Sequence, residues 1–434
     1  MTCRARTMFA LALAACTGKT GTISVSLTTA PGSTVLDSVQ TLRLTLTNPP
    51  STQTAQRTAD GFDLAVELDA TGETTQLLLE GLDAGGTIVA TGASPAFPVG
   101  AIDASIVIYM AAPHSVGVAP HSFDPRSELA AGALIYGAIF AGGRDASGAV
   151  LDSVLIYNAF NHTIGTGLSL PGPRAGMLLA VGSASSVYMF GGRDNLGVPT
   201  ATAWSFNTSV APAGAYVDYG NKDGFERADE LMVPIGNEHF LITGAPPAEL
   251  SGLDGSVVAR QADALPPAGA ALIASDGIAT SIFAGPSGVI RFRTGTFTTL
   301  SIVEAARTGA GVAAIAGGKV AVVCGSTDAV RIDAATGTAD IVAGVPSEAK
   351  TGCAIASTSR HLVIAGGTTS AGVDPSVEVY DVTTLARVAA AQLTVPRTNA
   401  VAIALPNDQV LIAGGVDASG VPVGTLELYT PPAN

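Results

Sequence analysis

The feature that most constrains this 434-residue chain is a short unit that it repeats: an apolar run, a pair of glycines, then a polar turn. Clean copies are GGRDASG at 142–148, GGRDNLG at 191–197, GGTTSAG at 366–372 and GGVDASG at 414–420. A unit repeated in this way cannot bury its own faces and must stack against its neighbours. Degenerate copies fill the middle: Thr243-Gly244 after FLI, Ala284-Gly285 after SIF and Cys324-Gly325 after VAVV. Successive anchors stand 40–52 residues apart, the period of a propeller blade.

Two further registers run in phase with the anchors. An aromatic residue follows each clean pair by 13 or 14 positions: Tyr157, Phe206, Tyr380 and Tyr429, each inside a strand-like run. A basic residue precedes the anchor by 16 or 17 positions: Arg126, Arg174, Arg227, Arg307, Lys350 and Arg397. The fourth unit, near Pro267, lacks one. The glycines Gly142, Gly143, Gly191, Gly192, Gly366, Gly367, Gly414 and Gly415 are expected to take dihedrals closed to other residues and to let units approach closely. The Asp-x-x-Gly segments at 145–148, 194–197 and 417–420 read as turns, Asp bonding local amides and Gly supplying a positive φ. One carboxylate each makes them poor calcium loops.

Together these registers resemble the kelch and galactose-oxidase-like β-propellers over roughly residues 115–434. In that family a unit runs from an Arg-led inner strand to a second strand ending in Gly-Gly, a third strand with an aromatic, and an outer strand. The family's usual Trp of the fourth strand is missing, since the single Trp, Trp204, falls in a third strand. The last unit lacks an outer strand, and residues 115–119 are expected to supply it and join the ends of the ring. The resemblance implies a seven-bladed ring over residues 113–434, with six blades as the alternative. Basic residues that begin inner strands would ring one mouth of the channel, as a site for a carboxylated or sulfated glycan, another anion or a partner. The alternative is that each binds neighbouring carbonyls or a carboxylate of the next blade.

Ahead of the ring, residues 17–112 alternate with period two at 22–28, 41–47, 62–68, 75–80, 87–91 and 104–111, between turn signals such as NPPS and DAGG. That pattern predicts an antiparallel, immunoglobulin-like β-sandwich, here a spacer or binding module without its own chemistry. Residues 1–16 have the shape of a secretory signal: Arg4 and Arg6, the apolar MFALALAA, then Cys16. The run is too short to span a bilayer. Leu13-Ala14-Ala15-Cys16 resembles the bacterial lipobox, which implies diacylation of Cys16 and attachment to the cell envelope, at the outer membrane. An ordinary signal peptide is the alternative. Cys324 and Cys353 remain, as separate buried thiols or as a disulfide.

Apolar residues make up 47% of the chain and charged residues 13%, which argues against disorder. A net charge of −14 with four lysines argues against nucleic acid as a partner. A copper-radical oxidase would need His and Tyr ligands and a Tyr–Cys crosslink, and the five histidines show no ligand-spaced pair at a blade's mouth. Neither G-x-S-x-G nor H-E-x-x-H occurs. The expectation is a monomeric, lipid-anchored, non-enzymatic module without cofactor or metal that binds an envelope protein or glycan. The alternative is a secreted propeller enzyme acting on carbohydrate.

Overall fold

A computed structural model describes residues 20–433, apart from 60, 63–64, 70–72, 100–103, 184–185, 262–264, 268 and 276–277. The signal segment and Cys16 lie outside the described residues. Apart from one 3-10 turn at Val303–Ala305, the regular elements described are strands. Among the described residues no helix is long and apolar enough to cross a membrane.

Strict alternation makes Thr41–Thr47 a half-buried strand, with Leu42, Leu44 and Leu46 inward and Arg43 between them outward. It lies between Pro50–Gln56 and Leu77–Leu82, with Ile88–Ala93 beyond. A second sheet is formed by Ala65–Asp69, Thr20–Thr28 and Ala104–Tyr109. Val25, Leu44, Leu79, Ile106 and Ile108 from both sheets share one core. Two details differ from the sequence reading. Thr20–Thr28 runs parallel to Ala104–Tyr109, so the pairing is not wholly antiparallel. Pro50–Gln56, where the sequence shows a turn signal, is a strand; it sits at a sheet edge, is exposed over nearly its whole length, and so carries no apolar alternation.

From Ser115 onward, four-stranded antiparallel sheets follow one another in a propeller-like succession. The first pairs Ala130–Leu134, Gly137–Ala141, Val154–Asn158 and Thr163–Thr166 in chain order. The next five begin with Leu178–Val181, Met232–Gly236, Gly269–Ser275, Gly311–Ile315 and Ala354–Ser357. The last sheet joins Val401–Ala404, Val410–Ala413 and Glu427–Thr430 to Ser115–Val118, in register Ser115↔Thr430. Each first strand lies against the first strand of the following sheet, and Val401–Ala404 lies against Ala130–Leu134. The succession therefore returns on itself, and its ends are tied by a strand from each side of the closure.

Tyr188 and Phe240 meet between the second and third sheets, ring centroids 4.5 Å apart, and elsewhere first strands pack small residues against branched ones. A Cβ on Gly132 would come within 2.7 Å of both Leu179 Cδ2 and Val181 Cγ2 of the next sheet. A Cβ on Gly311 would overlap Ile355 Cδ1. This close approach is why a composition so rich in Gly and Ala still fills its interior. The phased aromatics Tyr157, Phe206, Tyr380 and Tyr429 are buried in third strands, none more than 1% exposed.

The glycines of the repeat divide into two kinds. Gly142 has φ +63, and a Cβ there would overlap the carbonyl oxygen of Arg174 in the next sheet. Gly148, in the adjoining turn, has φ +83 but nothing within 4 Å. Gly142→Ala is expected to lower unfolding free energy by about 3–5 kcal/mol, from backbone strain plus a clash that only separating two sheets relieves. Gly148→Ala should cost about 1 kcal/mol, from φ alone. Urea denaturation of the two variants measures the difference.

Candidate functional site

The phased basic residues are interior. Arg126, Arg174, Arg227, Lys350 and Arg397 are 0–9% exposed, and Arg307 is partly buried. Each side chain turns back into its own sheet. Arg126 Nη1 donates to Gly142 O (3.3 Å) and Ser153 Oγ (3.1 Å). Arg227 Nε donates to Thr243 O (3.3 Å) and its Nη2 to Pro246 O (2.7 Å). Arg307 reaches Val322 O and Asp328 O. Arg174 bonds Thr202 Oγ1 and lies 4.9 Å over the Trp204 ring. The backbone carbonyl of the same residue faces the other way. It accepts the amide of the preceding sheet's second anchor residue: Gly143 N to Arg174 O (2.8 Å), Gly192 N to Arg227 O (2.7 Å), Gly325 N to Lys350 O (2.8 Å) and Gly367 N to Arg397 O (2.9 Å). One residue thus clamps two sheets.

This placement agrees with the alternative in which each basic residue binds neighbouring carbonyls or a carboxylate, here of its own sheet, and not with a basic ring presented to an anion. Arg126, Arg174, Arg227, Lys350 and Arg397 are closed off from solvent, and the bonds of all six run to carbonyls, hydroxyls and carboxylates of their own sheets. Burial lowers the guanidinium pKa of Arg126, Arg174, Arg307 and Arg397, and the charges of Asp124, Asp194, Asp328 and Glu427 oppose it. In the last two sheets a buried carboxylate completes the clamp. Arg397 Nη2 lies 2.5 Å from Glu427 Oε1, both side chains 0% exposed. Lys350 Nζ contacts Asp374 (2.7 Å) and Glu378 (3.1 Å). Burial alone would raise the Glu378 carboxyl, but bonds from Tyr380 and Ser347 and the Lys350 charge hold it below its usual value. Removing one partner of such a pair strands a charge and costs about 3–5 kcal/mol. Sequence reasoning missed Glu378 and Glu427; the signal was a carboxylate two positions before the phased tyrosine in VEVY and LELY.

Cys324 and Cys353 are joined as a disulfide between neighbouring sheets. Cys324 stands at the first anchor position with φ +63, beside glycines at +61 to +64 in the clean copies. The Asp side chains of the polar turns cap local amides: Asp145 accepts from Ser147 and Ala149, Asp194 from Leu196 and Val198, and Asp417 from Ser419 and Val421.

The exposed chemistry lies two residues beyond each basic residue. Glu128, Gly176, Asp229, Gly309, Gly352 and Asn399 all have positive φ, from +51 to +71. Their backbones pass hydrogen bonds from sheet to sheet: Gly176 N to Glu128 O, Asp229 N to Gly176 O and Asn399 N to Gly352 O, at 2.8–2.9 Å. They form a rim beside the starts of the first strands. On one side of the rim two ion pairs stand in solvent, Arg144–Glu128 at 2.9 Å and Arg193–Asp229 at 2.7 Å, with side chains 25–51% exposed. On the other side Gly309, Gly352, Cys353 and Asn399 line a hollow of about 370 Å³. Exposed pairs of this kind contribute about 0–1 kcal/mol each.

A second polar centre joins the N-terminal sheets to the ring. His162 is fully buried and takes up two bonds, from Tyr109 N–H at Nε2 (3.3 Å) and with Tyr157 Oη at Nδ1 (2.6 Å). A backbone amide can only donate, so Nε2 carries the lone pair and Nδ1 the proton, which it donates to Tyr157. Nearby, His114 and His361 meet around the Tyr429 hydroxyl, ring centroids 5.6 Å apart. No local pattern in the sequence pairs these two histidines, because the topology brings them together. Among the described residues no group of three His, Cys, Asp or Glu side chains is placed to hold a metal ion.

Burial pushes the His162 pKa down from 6.5 to about 4. Between those values the unfolded chain binds a proton that the folded chain does not, so stability rises with pH across the window and is lost below it. His162 should contribute about 3 kcal/mol of that change. His114 and His361, also lowered by burial and by Arg360, act with the same sign. Urea unfolding at pH 4 to 7 should therefore show a steep slope that His162→Gln flattens while leaving the remaining histidine contribution in place.

No protein-family model matches the chain. No curated protein matches it. Among solved structures, one described as "Structure of YjhT" aligns over 72% of this chain and 96% of that one, at 13% identity and a TM-score of 0.45.

Proposed function

We propose that the chain is a non-enzymatic binding module: a seven-bladed, kelch-type β-propeller behind an immunoglobulin-like β-sandwich, carried on the cell envelope by a lipid at Cys16. Its partner is an envelope protein or glycan, met as a monomer and not through nucleic acid. The sheet order and the return of the last sheet onto the first support the ring. The lipobox resemblance supports the anchor.

The observation that carries the binding reading is the division of labour around the rim. The buried basic residues use their hydrogen bonds to hold strands and sheets together. Glu128 and Asp229 are instead exposed, paired weakly with the half-exposed Arg144 and Arg193, and held by backbones that bond from sheet to sheet. Side chains held rigidly in solvent at little cost to the fold suit recognition, since binding them loses little conformational entropy. Loops on a shared scaffold are where such recognition is set.

Full-length protein immobilised on a support and exposed to solubilised envelope fractions tests this. Glu128→Lys with Asp229→Lys should lower partner retention by about tenfold or more, while the thermal midpoint shifts by about 2 °C or less. Retention unchanged by the charge reversals would overturn the rim as the binding surface.

A further inference from the structure

The boundary between the third and fourth sheets differs from the others. The outer strand of the third sheet, Val257–Ala259, has three residues, while that of the fourth, Thr296–Leu300, has five. Among the described residues the shorter strand leaves part of its neighbour's face uncovered. The result is an open groove of about 540 Å³, with Ile290 and Phe297 on one wall and Arg260 and Gln261 opposite. Phe297 pairs across strands with Phe292, ring centroids 4.8 Å apart, and is itself only partly buried. Phe292 and Ile290 continue inward to the core formed with Leu241, Leu265 and Phe283. The groove therefore has a fixed apolar floor.

Its polar wall is held by a relay. His239 Nδ1 stands 2.7 Å from Glu249 Oε1, and the other carboxylate oxygen contacts Arg260 Nη2. A carboxylate can only accept, so His239 donates from Nδ1. Arg260 N also donates to Pro247 O at 2.7 Å, which fixes the start of the side chain. A guanidinium oriented by two residues behind it, on a side chain 40% exposed, is a prepared hydrogen-bonding group. Gln261, Thr296 and Thr299 add exposed amide and hydroxyl groups along the same groove.

We propose that this groove binds one neutral pyranose unit of a glycan. The C–H face of the ring lies on Phe297 and Ile290, and its hydroxyls bond Arg260, Gln261, Thr296 and Thr299. An apolar floor with a few convergent polar groups is the general form of a small-ligand site. The groove's volume falls in the range of such sites and exceeds one sugar ring. Charge decides against an acidic ligand: Glu249 already matches Arg260, and the chain as a whole carries −14. This proposal rests on the glycan half of the binding reading and locates it at a second place on the ring.

The test is saturation-transfer NMR and calorimetry on the full chain with methyl glycosides of glucose, galactose, mannose and N-acetylglucosamine, and with methyl glucuronide as the anionic control. At least one neutral glycoside should bind in the millimolar range, ahead of the glucuronide. Phe297→Ala, Arg260→Ala and the surface variant Gln261→Ala should each weaken it, the first two by about tenfold. Phe297→Trp should retain binding, which separates loss of the platform from loss of fold. No response from any neutral glycoside, or preference for the glucuronide, overturns the proposal. So does binding that survives Phe297→Ala and Arg260→Ala but is lost in Glu128→Lys with Asp229→Lys; the rim reading would then stand and the groove fail. A protein partner lost only on rim charge reversal, beside a glycoside lost only on groove substitution, supports both sites separately.

Discussion

Four boundaries between sheets share one joint: the amide of a second anchor residue in one sheet donates to the carbonyl of a buried basic residue in the next. At three of these joints the two backbones approach more closely than a Cβ at the first anchor position allows; at the fourth, Cys324 holds that position and is bridged to Cys353 of the next sheet. Gly142, Gly191 and Gly366 each face the carbonyl of the following sheet's Arg at a distance that leaves no room for a Cβ, and Gly414 faces Arg126 across the closure. The basic residue's side chain then returns to the end of its own second strand or the start of its third. A single residue thereby fixes the spacing between sheets and the geometry within one. A long side chain with a full set of donors is needed for this, and it is buried at the cost of desolvating a charge, which carbonyls and, in the last two sheets, carboxylates offset.

Where the registers weaken, the boundary changes character. The fourth sheet carries Pro267 where the others carry Arg or Lys, and its anchor is Ala284-Gly285. Sheets three and four are held instead by an apolar core of Leu241, Phe283, Ile290 and Phe292. The open groove lies on the outer side of this same boundary. Departure from the repeat and a candidate site coincide there, which is the pattern expected when local rules are relaxed for function.

Much of this was legible in the sequence because it is local and periodic. The glycine pairs and the phased aromatics follow from spacing alone, and the strand supplied by residues 115–118 follows once the four-strand unit that the resemblance implies is laid over that spacing. The basic register was visible, but its direction was not: spacing says that Arg126 and Arg397 recur and cannot say that their side chains point into a sheet. Glu378 and Glu427 break an apolar run by one residue each, a signal too short to weigh without the partner across the sheet. Pro50–Gln56 is a strand without apolar alternation, because an exposed edge has no face to bury. His162 with Tyr109, His114 with His361, and Arg260 with Phe297 come together through topology, and no local pattern carries such pairs.

The central claim is that the inter-sheet amide bonds are the joints of the ring. Residue-resolved native-state hydrogen exchange on the amides of Gly143, Gly192, Gly325 and Gly367 tests it most directly. The account predicts that these four exchange only through global unfolding, with a denaturant dependence matching that of the whole domain. Exchange through local fluctuation, at the rates of the turn amides of Gly148 and Gly197, would contradict it.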